Sequence, residues 1–395
     1  MNYLSLPPPD WNWSDLFLAS FYSLARKNAI EDLEDTIKGV LGPSHVMVAN
    51  LGRTALTIGL KALGLKKGSG VILPAIICPT VIRSVLRADC RPILVDVEQN
   101  LHISVRTLAA CQTDQAGAVL VPHLYGLSAP IKKIVKWTEV NGLYLIDDAA
   151  QAVGISLDEK YLGTYGDFGI LSFGPFKSLS TPRGGALISS NKEIIARGKK
   201  IDLPQENFHE AFRRIGGGYL KFHCRSCFLR TKNKLSLRKK QAGNSLKTWD
   251  QSQSTDETFQ ISNLEAWLVQ SVLGRISSII DHRRKTAYGV WEMLNQFDKF
   301  DFVGPNNAPY IKIPIRLPEK LKAEKVVSCF RAMKIEAERI YRPLHLHNSY
   351  KAYAPRPLPL AEEIWKTVFL VPNPVTKDHF GINRLAAAFK ALSAI

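Results

Sequence analysis

The sequence predicts an α/β fold, with a large domain on a mostly parallel sheet and a small C-terminal α+β domain. Two observations carry this. Between residues 46 and 190, short apolar runs alternate with helix-patterned stretches, the arrangement that builds a parallel sheet through crossover helices. Beyond that, the pattern changes to one long helical stripe and then to mixed strands and helices. A chain of 395 residues is long enough for two such cores.

The elements follow in order. Trp11 to Lys27 reads as an aromatic-rich amphipathic helix. It either packs on the main body or lies at a membrane interface, since Trp, Phe and Leu share a segment that ends in basic residues. Ile30 to Leu41 is a helix stopped by Gly42-Pro43. Val46 to Ala49 is a strand. Gly52-Arg53-Thr54 then opens a helix with Leu56, Leu60 and Leu63 on one face and Gly64 at its end. A glycine turn into a helix N-terminus offers free backbone N–H groups and a positive dipole end, which suits a phosphate, although many ordinary helices begin this way.

The alternation continues through a strand at Val71 to Leu73, a helix at Pro79 to Ala88 and a strand at Pro92 to Val97. Ala118 to His123 is a strand closed by Tyr125-Gly126. Ala129 to Val140 is a helix, and Tyr144 to Asp147 a strand. The strand is followed by Asp148, Ala149, Ala150 and Gln151. A carboxylate there either faces a ligand or caps a following helix. Phe168 to Phe173 and Ala186 to Ser190 are two further strands, and between them Lys177 sits in a turn of Gly, Pro and Ser. A loop lysine is commonly a solvated charge, but an amine at the mouth of a sheet can form a Schiff base with a carbonyl cofactor. Gly52, Asp148 and Lys177 all fall at or just after strand ends, where open α/β sheets bind ligands.

Beyond Gln205 the alternation fails. Lys221 to Lys247 is rich in Lys and Arg and contains no acidic residue. It reads as a basic insertion, either solvated or in contact with an anionic membrane surface. Gln241 to Glu257 reads as a linker. Ser262 to Phe297 reads as one long helix crossing toward the small domain. In that domain Tyr310 to Ile315 and Glu336 to Ile340 are strands, and Glu319 to Met333 and Lys377 to Leu392 are helices. The expected organisation is an N-terminal helical segment (1–29), a large domain (30–260) with an insertion at about 205–258, and a connecting helix with the small domain (261–395).

Composition narrows the class. Hydrophobic content of 46% and charged content of 22% are those of a globular protein. No apolar run approaches the ~18 residues of a membrane span. No basic region precedes an apolar core at the N-terminus, so a cytoplasmic protein is expected. Cys78, Cys90, Cys111 and Cys329 are scattered, and Cys224-x-x-Cys227 has no second pair for zinc. The formal net charge of +17 favours anionic partners, but no nucleic-acid motif accompanies it.

Ordered blocks in the chain resemble the DegT/DnrJ/EryC1/StrS aminotransferases, sugar aminotransferases of PLP fold type I. The blocks are N-L-G-R-T-A-L-T-I-G-L-K-A-L-G (Asn50 to Gly64), V-I-L-P-A-I-I-C-P-T-V (Val71 to Val81), R-P-I-L-V-D-V (Arg91 to Val97) and H-L-Y-G (His123 to Gly126). I-D-D-A-A-Q-A-V-G (Ile146 to Gly154), G-D-F-G-I-L-S-F-G-P-F-K (Gly166 to Lys177), Y-R-P-L-H-L-H (Tyr341 to His347) and L-P-L-A-E-E (Leu358 to Glu363) follow. The resemblance implies pyridoxal 5′-phosphate as cofactor, with Lys177 as its covalent anchor and Asp148 paired with the pyridinium nitrogen. Gln151, one helical turn on, would lie against the ring. Ser172, Gly52, Arg53 and Thr54 would hold the phosphate, Cys78 would stand where a stacking aromatic is usual, and Tyr341 and His345 would line the sugar side. It further implies transfer of an amino group, with glutamate as donor, to a nucleotide-linked keto-sugar, and a homodimer with a shared site. The family's Gly-Thr is Gly52-Arg53 here, and the positions of an Asn and an Arg that reach the partner's cofactor align with Thr258 and Gln260. A guanidinium at Arg53 can take over that positive charge. Two other readings stand beside the enzyme: a catalytically altered relative with a regulatory or scaffolding role, and an anionic-surface binder acting through the basic insertion.

Overall fold

The apolar runs assemble into one seven-stranded sheet in a computed structural model that describes residues 4, 9–25, 28–111, 115–206, 208–219, 259–374 and 380–393. The strands are β1 (His45–Ala49), β2 (Gly70–Pro74), β3 (Arg91–Val95), β4 (Ala116–Pro122), β5 (Tyr144–Asp148), β8 (Phe168–Ser172) and β9 (Gly185–Ser189). A short hairpin, β6 (Ser156–Leu157) and β7 (Lys160–Tyr161), forms its own small sheet. The large sheet runs β1-β9-β8-β5-β4-β2-β3. β9 alone is reversed, antiparallel to both β1 and β8, and the remaining pairs are parallel. Strands β2, β8 and β9 are buried along their whole length, which explains why they read as unbroken apolar runs and not as alternating ones.

Helices cover the sheet. Gly52–Ala62 packs across β8 and β9, and Gly59 is required there because a Cβ would stand 2.5 Å from the Phe168 ring. Ala29–Leu41 ends at Gly42, whose φ of 75° is the left-handed cap that glycine accommodates. A second, four-stranded antiparallel sheet has the order β10-β11-β13-β12, with β10 Asp301–Phe302, β11 Lys312–Arg316, β12 Glu338–Arg339 and β13 Val368–Pro372. Its apolar side packs with the phenylalanine cluster of Phe330, Phe369 and Phe389.

Several expectations change. The helix read as continuous from Ser262 to Phe297 is two helices, Asn263–Leu273 and Ile276–Leu294, broken at Gly274 and Arg275. The first starts at a capping box in which Ser262 and Glu265 exchange hydrogen bonds, a signal at the start that says nothing about where the helix stops. Glu336 to Ile340 shrinks to the two-residue β12. β13, the strand at the centre of the second sheet, was not read, nor was the helix Pro359–Thr367 before it. Asp96 caps that helix, accepting the N–H groups of Leu360 at 3.0 Å and Ala361 at 2.7 Å. Residues 208–219 are helical. The basic run Lys221 to Lys247, Cys224 and Cys227, the linker and Thr258 lie outside the described residues. Among the described residues no helix is long and apolar enough to cross a membrane, and no cluster of metal-ligating side chains occurs.

Candidate active site

The carboxyl ends of β5 and β8 and the N-terminus of helix Gly52–Ala62 meet at one place. Successive residues of a strand point to opposite faces, and Asp147 and Asp148 separate accordingly. Asp147 is fully buried and fully partnered. It accepts the N–H groups of Gly163 (2.8 Å) and Tyr165 (2.9 Å), and His123 Nε2 lies 2.7 Å from its other oxygen. His123 Nδ1 accepts the Ala129 N–H at 3.0 Å, so the ring proton sits on Nε2 and is donated to Asp147. Behind this pair, His102 is also buried. Desolvation, with His123 nearby, pushes its pKa down to about 3 and keeps it neutral.

Asp148 faces the other way. One oxygen accepts the Ala150 N–H at 2.9 Å, and the other has no hydrogen-bond partner among the described residues. Burial raises the pKa of its carboxyl, against the pull of the Ala150 N–H and the Lys177 ammonium. It caps no helix, because Ala149 to Gly154 form turns. Gln151 is therefore not one helical turn on; it is placed by the turn itself. Its Oε1 accepts the Tyr125 N–H at 3.0 Å and its Nε2 donates to the Tyr341 hydroxyl at 3.2 Å.

Lys177 follows β8 in the loop that the sequence marks. Phe176 before it has a φ of 62°, uncommon for a bulky residue, and its N–H donates to Ser180 Oγ at 3.2 Å. Ser178 after it is fully buried, and its hydroxyl has no partner among the described residues. Ser172, the last residue of β8, abuts Gly52. A Cβ on Gly52 would lie 2.9 Å from Ser172 Cβ and 3.2 Å from Ser172 Oγ. On the other flank, a Cβ on Gly185 would stand 2.3 Å from the Gly52 nitrogen. Three backbones converge there, which only glycine permits.

Leu51, which precedes the helix that starts at Gly52, makes no side-chain cap hydrogen bond, and it is bridged to Gly184. The Arg53 carbonyl takes hydroxyl hydrogen bonds from Thr57 (3.0 Å) and Ser84 (3.1 Å). Thr54 is buried and its hydroxyl donates to Asn50 Oδ1 at 2.8 Å, an internal bond of the turn. The Asn50 N–H reaches the Phe259 carbonyl at 3.3 Å, which sets Gln260 beside the same turn; the Gln260 N–H itself donates to Pro204.

Across the site, Tyr125 and Tyr341 stack with ring centroids 5.9 Å apart. Burial pushes both phenols above their ordinary range, with Cys78 close to each. Cys78 itself precedes the helix Pro79–Arg87, and its Sγ lies 3.1 Å from Thr80 Oγ1. Gly126 is pressed against the loop before β11, where a Cβ would meet the Pro309 carbonyl at 2.7 Å. His345 lies further out. Its Nε2 is 3.2 Å from Glu362, the neighbouring Leu344 N–H donates to Ala75 at the end of β2, and no hydrogen bond joins it to Lys177 or Asp148.

Of the expected site residues, the structure sets Gly52 against Ser172, Asp148 within electrostatic reach of Lys177, and Gln151 against Tyr341, whereas Thr54 bonds to Asn50 and His345 pairs with Glu362. Sequence reasoning assigned no role to Asp147, His123 or Tyr125. His123 and Tyr125 stood in the quoted H-L-Y-G block; only the pairing across the sheet shows what they hold.

A reversed strand beside a parallel sheet, a close-packed glycine turn at a helix N-terminus and a lysine near a buried carboxylate define an α/β chain with these features gathered at its strand ends. The chain belongs to the DegT/DnrJ/EryC1/StrS aminotransferase family, whose profile matches residues 22–384. A GDP-perosamine synthase of Vibrio cholerae is 28% identical over 172 residues, 43% of this chain and 47% of that protein. The aligned stretch thus spans about half of that relative's length. A GDP-perosamine synthase of Caulobacter vibrioides is 24% identical over 91% of this chain and 88% of its own length. The crystal structure of a DegT DnrJ EryC1 StrS aminotransferase from Brucella abortus superposes with a TM-score of 0.76 over 97% of this chain and 96% of that one, at 19% identity. The expected fold class is therefore the one found.

Proposed function

We propose that this chain is a pyridoxal-phosphate-dependent aminotransferase that transfers an amino group from glutamate to a nucleotide-linked keto-sugar, for amino-sugar or surface polysaccharide synthesis. The observation that carries this is Lys177 set beside the buried, half-partnered carboxylate of Asp148, with the Gly52 cradle on its flank. Those residues fit the cofactor. The positive end of the helix that starts at Gly52 and the adjacent Ser172 hydroxyl suit a phosphate, and Asp148 has an oxygen available to a protonated ring nitrogen. The relatives are named as sugar enzymes, which supports the substrate class.

Bound there, pyridoxal phosphate supplies an electron sink for moving an amino group between carbons. Asp148 holds the proton on the ring nitrogen. Lys177 Nζ would anchor the cofactor and, as general acid and base, would move a proton between the cofactor carbon and the sugar carbon. The Gly52 and Arg53 N–H groups and Ser172 Oγ bind the phosphate, with the Arg53 guanidinium as added positive charge. Gln151 fixes Tyr125 and Tyr341, and Tyr341 and His345 line the sugar side. A homodimer with a shared site, a cytoplasmic location and a division at residues 29 and 260 complete this reading, supported by the family resemblance.

The purified protein should be yellow, and borohydride should fix the cofactor on Lys177. Glutamate-dependent amination across a panel of nucleotide keto-sugars should fall about a thousandfold in Lys177→Ala. A colourless protein that takes up no added pyridoxal phosphate overturns the reading. A second reading, a catalytically altered relative, is favoured by Cys78, whose thiol offers no ring to stack. A protein that binds the cofactor but aminates no sugar would select it.

A further inference from the structure

We propose that Lys312 is a positioning residue for Lys177, acting through the ring of Phe176, with Glu338 holding its ammonium in place. The proposal rests on the reading of Lys177 as the reactive amine. Phe176 stands one residue before Lys177 and has a φ of 62°. That left-handed conformation is unfavourable for a bulky side chain and persists only where the surroundings impose it. On one side the backbone is held. The Phe176 N–H donates to Ser180 Oγ at 3.2 Å, and the Ser180 N–H donates to Asp10 Oδ2 at 2.7 Å. These bonds fix the main chain and leave the ring. The ring is met from the second sheet, where Lys312 Nζ lies over it, 5.9 Å from the centroid. An ammonium over an aromatic face is attracted by the ring quadrupole.

The second sheet explains why Lys312 stays there. β13 lies between β11 and β12, with Lys312 opposite Pro372 and Glu338 opposite Leu370. Pro372 and Leu370 are two residues apart and share a face of β13, so Lys312 and Glu338 stand on that face too, one on each side of the strand. Their charges meet across it at 2.5 Å, and the Lys312 side chain is only 17% exposed. A solvated lysine samples many rotamers; this one is already ordered where it meets the ring. The residue before it makes a matching contact. Ile311 donates its N–H to the Tyr125 carbonyl at 3.1 Å, and Tyr125 has a φ of 59°. Tyr125 and Phe176 are the two aromatic residues with left-handed φ among the described residues. Consecutive residues at the entry to β11 thus brace both of them.

The test is a double-mutant cycle on the full chain: Lys312→Met, Phe176→Leu and the two together. The readout is the rate at which acetic anhydride modifies Lys177 in the cofactor-free protein, followed by peptide mapping. Lys177 is half-buried, so a loosened loop exposes it. Lys312→Met should speed its modification about threefold, with the other lysines unchanged. Lys312→Arg, which keeps a cation over the ring, should restore the wild-type rate. In the Phe176→Leu background, Lys312→Met should have no further effect, because the link is already cut. Should Lys312→Met misfold by circular dichroism, Glu338→Gln, which releases the ammonium, should show the same change. The proposal is overturned if folded variants leave the Lys177 rate unchanged. It is also overturned if Lys312→Met acts equally with and without the Phe176 ring, for then the ring is not the link. Colour with added pyridoxal phosphate is read separately: a colourless protein fails the proposed function, whereas the labelling rates decide the coupling.

Discussion

Asp10 and Ser180 hold each other through two hydrogen bonds. The Asp10 N–H donates to the Ser180 carbonyl at 3.0 Å, and the Ser180 N–H donates to Asp10 Oδ2 at 2.7 Å. The same oxygen meets Arg283, which is only 2% exposed. The N-terminal segment thus clamps the loop three residues beyond Lys177. Asp10→Ala leaves a buried guanidinium unpaired and should cost about 3 kcal/mol or more. It should also slow borohydride labelling of Lys177, read by peptide mapping, whereas Asp10→Asn should lose less. An unchanged unfolding temperature and labelling rate would show that the clamp holds nothing.

Asp148 should oppose stability where it serves function. Burial raises its folded-state pKa, so its contribution to stability is fully present below the ordinary value of 3.8 and is lost as pH rises through the raised value. At neutral pH the ionised carboxylate is therefore a net cost in the cofactor-free chain. Asp148→Asn should unfold at a higher temperature than the wild type near neutrality, and the gap should close as pH falls toward 4. Its amination rate should fall about a hundredfold or more. A variant less stable at pH 7 would contradict this sign.

Gly52 admits no side chain. Gly52→Ala sets a Cβ 2.9 Å from Ser172 Cβ and should destabilise by about 1–3 kcal/mol. Phosphate and cofactor affinity should fall with it, measured by calorimetry. Adding Ser172→Gly should recover part of the stability but not the affinity, since the hydroxyl would be gone.

Gln151 links the Tyr125 backbone to the Tyr341 side chain. Gln151→Ala strands a buried N–H and should cost about 1–3 kcal/mol. Tyr341→Phe keeps the stacked ring and should cost about 0.5–1.5 kcal/mol for the lost hydrogen bond, less than Gln151→Ala. It should raise KM for the sugar nucleotide more than it lowers kcat. Equal losses of stability in the two variants would mean that Tyr341 is structural.

What the sequence made legible was local. Strands β2, β8 and β9 read as apolar runs, and Gly52, Asp148 and Lys177 could be placed at strand ends from neighbours alone. What escaped was set by distance along the chain or by packing. Asp10 reaches Ser180 and Gln151 reaches Tyr341 across long stretches of intervening sequence, and no local pattern announces either contact. Asp147 and Asp148 look alike in the sequence, and only the pleat shows which of them is spoken for. The break at Gly274 interrupts an apolar stripe that continues on both sides, so periodicity carried the reading through it. Val368 to Pro372 is a short apolar run closed by a proline, too brief to declare itself a strand without its neighbours in the sheet.

The reversed strand β9 also fixes an order of events during synthesis. β1 emerges early, yet its sole partner in the sheet is β9, with Ala49 opposite Gly185. Until that second segment leaves the ribosome, β1 has no place in the sheet, and the turn at Leu51 lacks its bridge to Gly184. Such long-range pairing is slow to form and leaves strand edges open while it waits. The nascent chain therefore passes through a stage in which the parallel strands β2 to β5 can pair while the turn at Leu51 and Gly52 still lacks its neighbours Gly184 and Gly185. On the proposed function, ligand capture would belong to the last stage of folding this half of the molecule, and a truncation before residue 185 should yield a chain that binds no phosphate.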